Sequence, residues 1–257
     1  MKLNGDQVDI FTDTNKLTRG AAERFVSLAA KAIEEHGVFS VALSGGSTPK
    51  ALYQLMAADT AIRSKVQWSK VHMFFGDERH VPPDHNDSNF RMANEAMIQA
   101  LSGEQLHVHR VLAEFPSAAE AAAEYEADLR EFFEPRGLLE AGFPRFDLIF
   151  LGMGPDGHTA SLFPNSSGLS EKTRWVVANW VEKFQTDRIT MTFPVLNSAA
   201  EVILLISGAE KAPVLTKVLS PDANGAIYPV QQVRPHHGIK RWMLDASAAT
   251  AIEGISA

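Results

Sequence analysis

The amino-acid sequence predicts an α/β fold: a three-layer α/β/α arrangement with a Rossmann-like, mostly parallel, doubly wound sheet. Short apolar segments alternate along the chain with longer stretches of helical periodicity. The apolar segments are rich in β-branched and aromatic residues and lack strict polar alternation, which is typical of strands buried on both faces of a parallel sheet. Because the chain has no internal repeat and no linker composition, residues 1–257 are expected to form a single domain.

The predicted strands are the short apolar segments. Most of them lie between polar stretches and segments with helical periodicity. The segments are too short for buried helices, which typically have about ten or more residues, so they are interpreted as strands. They are Val38–Leu43, Val71–Phe75, Phe146–Leu151, Trp175–Val177, Ile189–Phe193, Val202–Ile206 and Trp242–Leu244.

The predicted helices lie between these strands. Ala21–His36 places Phe25, Ala29 and Ile33 on one face, and Gly37 supplies a stop signal. Four further helices are predicted at Pro49–Ala58, Asn89–Leu101, Ala118–Phe133 and Ala209–Leu219. Surface loops are expected at Pro135–Pro144 and Pro221–His237. The alternation of strands and helices implies right-handed crossovers.

The composition narrows the classes of partner and chemistry. The chain has 24 basic and 31 acidic residues, a net charge of −7, and no basic run, so neither nucleic acid nor a membrane surface is an expected partner. It has no cysteine, which excludes disulfides, thiolate nucleophiles and Cys-ligated metals. No secretion signal is evident in the polar N-terminal segment, and the apolar runs are too short to span a bilayer. A cytoplasmic location is expected.

The first motif follows the predicted strand Val38–Leu43 and opens the next helix at Pro49. Glycines let backbone N–H groups face outward, and a loop at a helix N-terminus is a favourable place for an anion. The sequence favours phosphate binding here over a plain tight turn, although it is not a Walker A loop. The candidate phosphate-binding residues are Ser44, Gly45, Gly46, Ser47 and Thr48.

The second motif is a run of ionisable residues, Asp77 to His80, directly after the predicted strand Val71–Phe75. In open α/β sheets, chemistry gathers at the carboxyl ends of strands. Arg79 is a candidate for binding a phosphate or a developing oxyanion, and Asp77 for orienting a partner group or a sugar hydroxyl. A solvated charged loop is an equally good explanation of this segment taken alone.

The third motif follows the predicted strand Phe146–Leu151 and contains Gly152-x-Gly154-x-x-Gly157. It formally matches a dinucleotide fingerprint. Asp156, however, would place negative charge beside a pyrophosphate, and Pro155 removes a backbone amide at the same place. Asp156 and His158 are better interpreted as a reactive pair, because a carboxylate beside a histidine fixes the tautomer that accepts a proton from water.

These segments together resemble the 6-phosphogluconolactonase family, and the resemblance extends from about Ala21 to Leu244. Each motif alone is weak, but their occurrence together in the same order is specific. The matching stretches are Ser44 to Pro49, Gly76 to Arg79 with Val81-Pro82, Ser88-Asn89, Gly152 to Pro164, Arg188 to Thr192 with Pro194, and Ser207-Gly208 with Lys211. The wider superfamily includes the glucosamine-6-phosphate deaminase/isomerases, which are the main alternative.

Two positions favour the lactonase branch. The deaminases resemble this chain in the Gly-x-Gly-x-Asp-Gly-His loop but carry an acidic residue five positions after the histidine, where this chain has Phe163. They have tyrosine where this chain has Arg79. An isomerase must move a proton between carbons and needs a lasting acid/base pair, whereas a lactonase needs only an activated water and a stabilised oxyanion.

The resemblance implies hydrolysis of 6-phospho-D-glucono-1,5-lactone in the oxidative pentose phosphate pathway, without metal or organic cofactor. His158 would be the general base, oriented by Asp156 or Asp77, and Arg79 would stabilise the oxyanion. Arg188 or Lys211 would help the glycine loop to bind the phosphate. The alternatives are a deaminase/isomerase, a non-catalytic sugar-phosphate sensor and, more distantly, a dinucleotide-dependent oxidoreductase. The sequence leaves the oligomeric state open.

Overall fold

A computed structural model describes residues 1–3, 5–220, 228–250 and 252 of the chain. The strands of the described part are β1 (Lys2–Leu3), β2 (Asp6–Phe11), β3 (Phe39–Leu43), β4 (Val71–Phe75), β5 (Asp77–Arg79), β6 (His107–Val108), β7 (Leu139–Glu140), β8 (Phe143–Pro144), β9 (Leu148–Leu151), β10 (Val176–Val181), β11 (Thr186–Met191), β12 (Glu201–Ile206) and β13 (Ile239–Asp245). They form an eight-stranded sheet, a three-stranded sheet and a two-stranded hairpin.

The eight-stranded sheet has the strand order β1-β2-β13-β12-β9-β3-β4-β6. Every neighbouring pair is parallel except β1 with β2, so the expectation of a mostly parallel sheet is confirmed. Five predicted strands belong to this sheet and correspond to β3, β4, β9, β12 and β13; β4 has the predicted bounds, and the ends of the other four differ by at most three residues.

The direction of winding changes beside β3. From β3 the chain moves outward on one side through β4 and β6, and it later returns to the other side of β3 through β9, β12 and β13. In open parallel sheets, such a reversal opens a crevice between the loops that leave the two strands at their carboxyl ends. The first and third sequence motifs are the loops that leave β3 and β9, so the fold brings them to one crevice.

The predicted strands at 175–177 and 189–193 do not join the parallel sheet, and this corrects the prediction. They correspond to β10 and β11, which form an antiparallel hairpin that extends into a small sheet with β5. Several residues of β10 are only half-buried, because one face of this hairpin is open. Strand β11 ends at Met191, and helix α6 (Phe193–Ser198) follows at once with proline in its first turn.

The sequence patterns did not predict the amino-terminal part of the fold. Strand β2 (Asp6–Phe11) pairs in parallel with β13, and its polar alternation hides it from a search for continuous apolar runs. Helix α1 begins at Thr14 rather than Ala21, because the Asp13 side chain caps it by accepting from the amide of Lys16 at 2.8 Å. The predicted stop is confirmed, since Gly37 ends the helix in the left-handed conformation at φ 87°.

The helices of the described residues are α1 (Thr14–His36), α2 (Ser47–Ala58), α3 (Thr60–Arg63), α4 (Asn89–Ala93), α5 (Ala118–Phe133), α6 (Phe193–Ser198), α7 (Ala212–Leu219) and α8 (Ala246–Ala249). The predicted helix Asn89–Leu101 is α4 followed by a π-helical turn and a 3₁₀ turn. Within the described part of the chain, no helix combines the length and apolarity needed to cross a bilayer.

The strands that carry the site are buried along their whole length. Every residue of β3, β4, β9 and β12 is buried, so both faces of the central sheet are covered and the strand ends are held firmly. The loop predicted at Pro135–Pro144 contains the β7–β8 hairpin. Of the second predicted loop, residues 221–227 lie outside the described residues, and the rest includes a buried 3₁₀ turn at Pro229–Gln232.

Candidate active site

A cleft of about 300 Å³ lies where the loops leaving the central strands meet. Loops after β3, β4, β9 and β12 all contribute to it, as the crevice position predicts. Its lining includes Ser44 to Pro49, Asp77, Arg79, Asn89, Gly152 to Pro155, His158 to Ala160, Leu205, Ser207 and Lys211. The structure therefore brings together residues of all three sequence motifs, which are far apart along the chain.

The glycine loop forms one wall of the cleft and leads into α2. The helix begins at Ser47, two residues before the predicted start, with Gly46 as its cap at φ 110°. Thr48 bonds through its hydroxyl to that of Ser207 at 2.8 Å, and Tyr53 ties the backbone of Ser44 to the helix at 2.9 and 3.0 Å. Because the first amides of a helix lack intrahelical partners, this wall presents donors to an anion.

Asp156 and His158 form a hydrogen-bonded pair in the loop after β9. Asp156 Oδ1 lies 2.5 Å from His158 Nδ1, and it also accepts from the His158 amide at 3.3 Å. Burial acts to raise the pKa of Asp156, but the hydrogen bond and charge of His158 outweigh burial and hold that pKa at about 2. Asp156 therefore stays ionised at any working pH, and Nε2 of His158 is left to accept a proton from the cleft.

Two glycines of this loop, Gly154 and Gly157, are required by the local packing and backbone conformation. A Cβ on Gly154 would lie 2.0 Å from Cε1 of His158 and 2.9 Å from Asp156, so only glycine fits beside the pair. The Gly154 amide donates to the His158 carbonyl at 2.9 Å, which closes the loop on itself. Gly157 has a φ of 73°. Gly154 and Gly157 thus have structural causes that involve no nucleotide.

Asp77 bonds to groups other than His158. Its Oδ2 accepts from the hydroxyl of Ser161 at 2.6 Å, and its Oδ1 accepts from the side-chain amide of Asn89 at 3.4 Å. The sequence left open which carboxylate orients His158, and the observed contact is that of Asp156. Asp77 is a buried carboxylate that lines the cleft, which suits it to accept from a sugar hydroxyl.

Glu78 has a structural position beside the cleft. It is buried and accepts from the amides of Asn89 and Phe90 at 2.7 and 2.8 Å, at the start of α4. Burial raises its pKa, although these amides oppose the effect. His80 turns to the carbonyl of Phe115 at 3.0 Å. Of the four ionisable residues in the second motif, only Asp77 and Arg79 line the cleft.

Arg79 and Arg188 lie side by side on β5 and β11. They are register partners, and Arg79 Nη1 donates to the carbonyl of Asp87 at 2.7 Å. Burial and the charge of Arg79 lower the pKa of Arg188 from its usual value. Within the described part of the chain, the buried Nε atoms of both arginines have no hydrogen-bond partner. Arg79 lines the cleft, whereas Arg188 is not among its lining residues; the guanidinium carbon of Arg188 lies 5.3 Å from the ring centre of Phe184.

Lys211 reaches the cleft from the turn after β12. Its Nζ donates to the carbonyl of Met153 at 3.0 Å, so the ammonium is held at the wall formed by the loop after β9. The glycine loop after β3 and Lys211 therefore line the same cleft. Together they supply amides and one fixed positive charge, a combination suited to a phosphate group.

Sequence reasoning assigned no role to Asn89, Ser207 or the ring of Phe163. Asn89 occupies the space beside Gly45, where a Cβ would lie 2.0 Å from its Oδ1, and it also bonds the carbonyl of Asp77 at 2.9 Å. Ser207 directly follows β12, so its position at a strand end was the available signal. Phe163 stacks on His158, with ring centres 3.9 Å apart and an interplanar angle of 25°. No pattern in the sequence indicates that contact.

The comparisons with known proteins agree with this arrangement. The model of the family described as glucosamine-6-phosphate isomerases/6-phosphogluconolactonase matches residues 12–242. The chain is 38% identical over 245 residues to a 6-phosphogluconolactonase of Nostoc sp. (strain PCC 7120), with 95% of this chain and 98% of the relative covered. It is also 38% identical over 243 residues to that of Synechocystis sp. (strain PCC 6803), with 94% and 96% covered.

A solved structure shows the same fold. The 6-phosphogluconolactonase from Trypanosoma cruzi superposes with a TM-score of 0.81 at 28% sequence identity, and the match covers 97% of each chain. The matched region contains the glycine loop, the Asp156–His158 pair and the turn that carries Lys211. This chain therefore belongs to the family of glucosamine-6-phosphate isomerases and 6-phosphogluconolactonases.

Proposed function

We propose that this chain hydrolyses 6-phospho-D-glucono-1,5-lactone to 6-phosphogluconate, a step of the oxidative pentose phosphate pathway. The observation that carries the proposal is the 2.5 Å contact between Asp156 and His158 beside a cleft with an anion-binding wall. Phe163 occupies the position of the deaminases' acidic residue and stacks on the base, which favours hydrolysis over isomerisation. The relatives named above carry the same activity in their names.

Substrate binding is proposed to place the phosphate at the glycine loop. The amides at the start of α2 and the ammonium of Lys211 bind its oxygens. Asp77, held by Ser161 and Asn89, accepts a hydrogen bond from a sugar hydroxyl. Arg188 contributes through its charge rather than by contact. Because it is the register partner of Arg79, its positive charge favours the binding of an anion on the side of the cleft that Arg79 lines.

Catalysis is proposed to proceed by general base attack of water. His158 Nε2 takes a proton from water as the water oxygen bonds to C1 of the lactone, and Asp156 stabilises the resulting imidazolium. The negative charge moves to the carbonyl oxygen, where Arg79 stabilises it. The tetrahedral intermediate then collapses, the bond from C1 to the ring oxygen breaks, and His158 returns its proton to that oxygen. The product is the open acid.

The proposal retains three predictions about the whole chain. They are a single domain over residues 1–257, a three-layer arrangement with helices on both faces of the sheet, and a cytoplasmic location. The complete burial of the central strands supports the second of these, because both sheet faces must be covered by other elements. The lack of cysteine is compatible with the third.

The proposal is tested with freshly prepared lactone and an added 6-phosphogluconate dehydrogenase that reports product, after subtraction of spontaneous hydrolysis. Wild-type protein should accelerate product formation. His158→Ala should lower kcat by about 10²–10⁴-fold with little change in KM, since only the proton transfer is lost. No acceleration by the wild type would refute the function, and release of ammonia from glucosamine 6-phosphate would then identify the deaminase alternative. An unchanged kcat in the variant would remove His158 from the mechanism.

A further inference from the structure

Phe163 lies between two clefts of the molecule. His158 lines the cleft described above, whereas Asp156 and Phe163 line a second cleft of about 690 Å³. The other walls of this second cleft come from the loop 164–167 and from the tip of the β10–β11 hairpin, including Trp180 and Lys183. The base therefore faces the substrate cleft, while its carboxylate partner faces the second one.

The ring of Phe163 covers one face of the imidazole. It is nearly parallel to the His158 ring at 3.9 Å, and its other neighbour is the ring of Phe184 at 5.8 Å in an edge-on arrangement. Phe163 itself is only 7% exposed, so it is a packed side chain and not a mobile surface group. The imidazole is thus enclosed by Phe163 on one face and by the close backbone of Gly154 at its Cε1 and Nδ1 atoms.

We propose that Phe163 is a positioning residue for the proposed lactonase reaction, which holds the plane of the His158 ring and separates that ring from the second cleft. The hydrogen bond to Asp156 fixes one ring atom but leaves rotation about the direction of that bond. A stacked ring removes this freedom, so Nε2 keeps one direction into the substrate cleft. Displacements of about 1 Å in a catalytic group can cost 10²-fold in rate, which gives the stack a functional consequence.

The proposal predicts that kcat depends on the flat shape of the ring at position 163 and not only on its volume. Leucine at position 163 fills most of the volume but has no flat face, whereas tyrosine keeps the flat ring. Phe163→Leu should therefore lower kcat by about tenfold with KM within about twofold, and Phe163→Tyr should retain most of the activity. Phe143→Leu, in β8 before the amino end of β9, is a matched control and should leave both constants unchanged.

A spectroscopic readout tests the geometry without relying on lactone turnover. In the wild type, the carbon-bound ring protons of His158 should show the upfield ring-current shift of a stacked neighbour, and its Nδ1 proton should resonate far downfield because of the short bond to Asp156. The His158 signals are assigned by their loss in His158→Gln. In Phe163→Leu the upfield shift should disappear and the Nδ1 signal should broaden, while Phe163→Tyr and Phe143→Leu keep the wild-type pattern.

The outcomes separate this inference from the proposed function on which it rests. If the wild type hydrolyses the lactone but Phe163→Leu matches it in kcat and in the His158 signals, the positioning role is wrong. If Phe163→Leu and Phe163→Tyr lose activity equally with unchanged His158 signals, the role is also wrong. If the wild type does not hydrolyse the lactone, the proposed function fails, and the spectra alone still decide whether Phe163 holds the His158 ring.

Discussion

At the scale of single residues, contacts at three places on the His158 ring restrict its orientation. His158 has a carboxylate at Nδ1, an aromatic ring on one face and a glycine backbone against its edge. Each contact restricts a different motion of the imidazole. A general base works only if its lone pair is aimed at the water it activates, so this enclosure is the structural basis for the proposed chemistry.

Gly154 gives a residue-scale prediction with a matched control. Gly154→Ala should lower kcat by about 10²-fold, because the new Cβ would lie 2.0 Å from the His158 ring and must displace it. Gly103→Ala, in the 3₁₀ turn after α4 and outside the cleft, has open space within 4 Å of its Cβ and should retain near wild-type kcat. Steady-state kinetics and circular dichroism of both variants check this. Equal activity of the two folded variants would contradict the claim that Gly154 positions the base.

At the scale of elements, the β10–β11 hairpin brings a charged tip close to the Asp156–His158 pair. The turn ends at Gln185 in the left-handed conformation, and Lys183 Nζ lies 3.9 Å from Asp156 Oδ2. Asp156 thus has His158 on one oxygen and Lys183 on the other. Among the residues that the structure describes, the other charged groups that line the two clefts are Asp77, Arg79 and Lys211 in the substrate cleft and Glu182 in the second cleft.

The hairpin predicts a salt-dependent effect on rate. The charge of Lys183 beside Asp156 opposes the positive charge that His158 acquires as it takes a proton from water, so Lys183→Gln should raise kcat by about twofold at low salt. The effect is small because the Lys183 side chain is 57% exposed. It should disappear at high salt. Lys183→Arg should keep the wild-type kcat, as should Lys70→Gln at the opposite end of β4; an equal rise of kcat in Lys70→Gln would rule the idea out.

At the scale of the whole molecule, catalysis and acid sensitivity are located at different places. The site lies at the carboxyl ends of the strands, whereas His72 lies near the amino end of β4, stacked on His107 at 4.3 Å and bonded to His109 at 3.1 Å. His109 in turn contacts Asp128 at 2.9 Å. Burial, with the charges of His107, His109 and Arg136, lowers the pKa of His72 to about 3.

This cluster predicts that acid destabilises the fold between about pH 6.5 and pH 3. In that range the unfolded chain binds a proton at His72 and the folded protein does not, so the free energy of unfolding falls as pH falls. Denaturant unfolding at pH 7 and pH 5 measures the loss. Between these two pH values, the free energy of unfolding should fall by about 1 kcal/mol less in His72→Asn than in the wild type. His85 is exposed, so His85→Asn should lose as much free energy of unfolding between pH 7 and pH 5 as the wild type does. If His72→Asn also loses as much as the wild type, His72 does not contribute to the acid sensitivity.

Much of the fold and the site was predictable from local sequence. Continuous apolar runs identify β3, β4, β9 and β12 because strands buried on both faces need no polar alternation. Glycine loops and ionisable residues directly after those strands indicate the site, since parallel strands bring their carboxyl ends to one edge. The short loop from Gly152 to His158 contains both Asp156 and His158, so their proximity needs no tertiary information.

The tertiary structure decided what depends on residues far apart in the chain. The partner of Asp77 is Ser161, 84 positions away, and the hairpin β10–β11 pairs with β5 rather than with the parallel sheet. The stack of Phe163 on His158 requires a backbone path that sequence spacing does not specify. Local patterns determine which segments are strands, helices and reactive loops. Which buried side chains meet is determined by how the whole chain packs, because that packing satisfies many contacts at once.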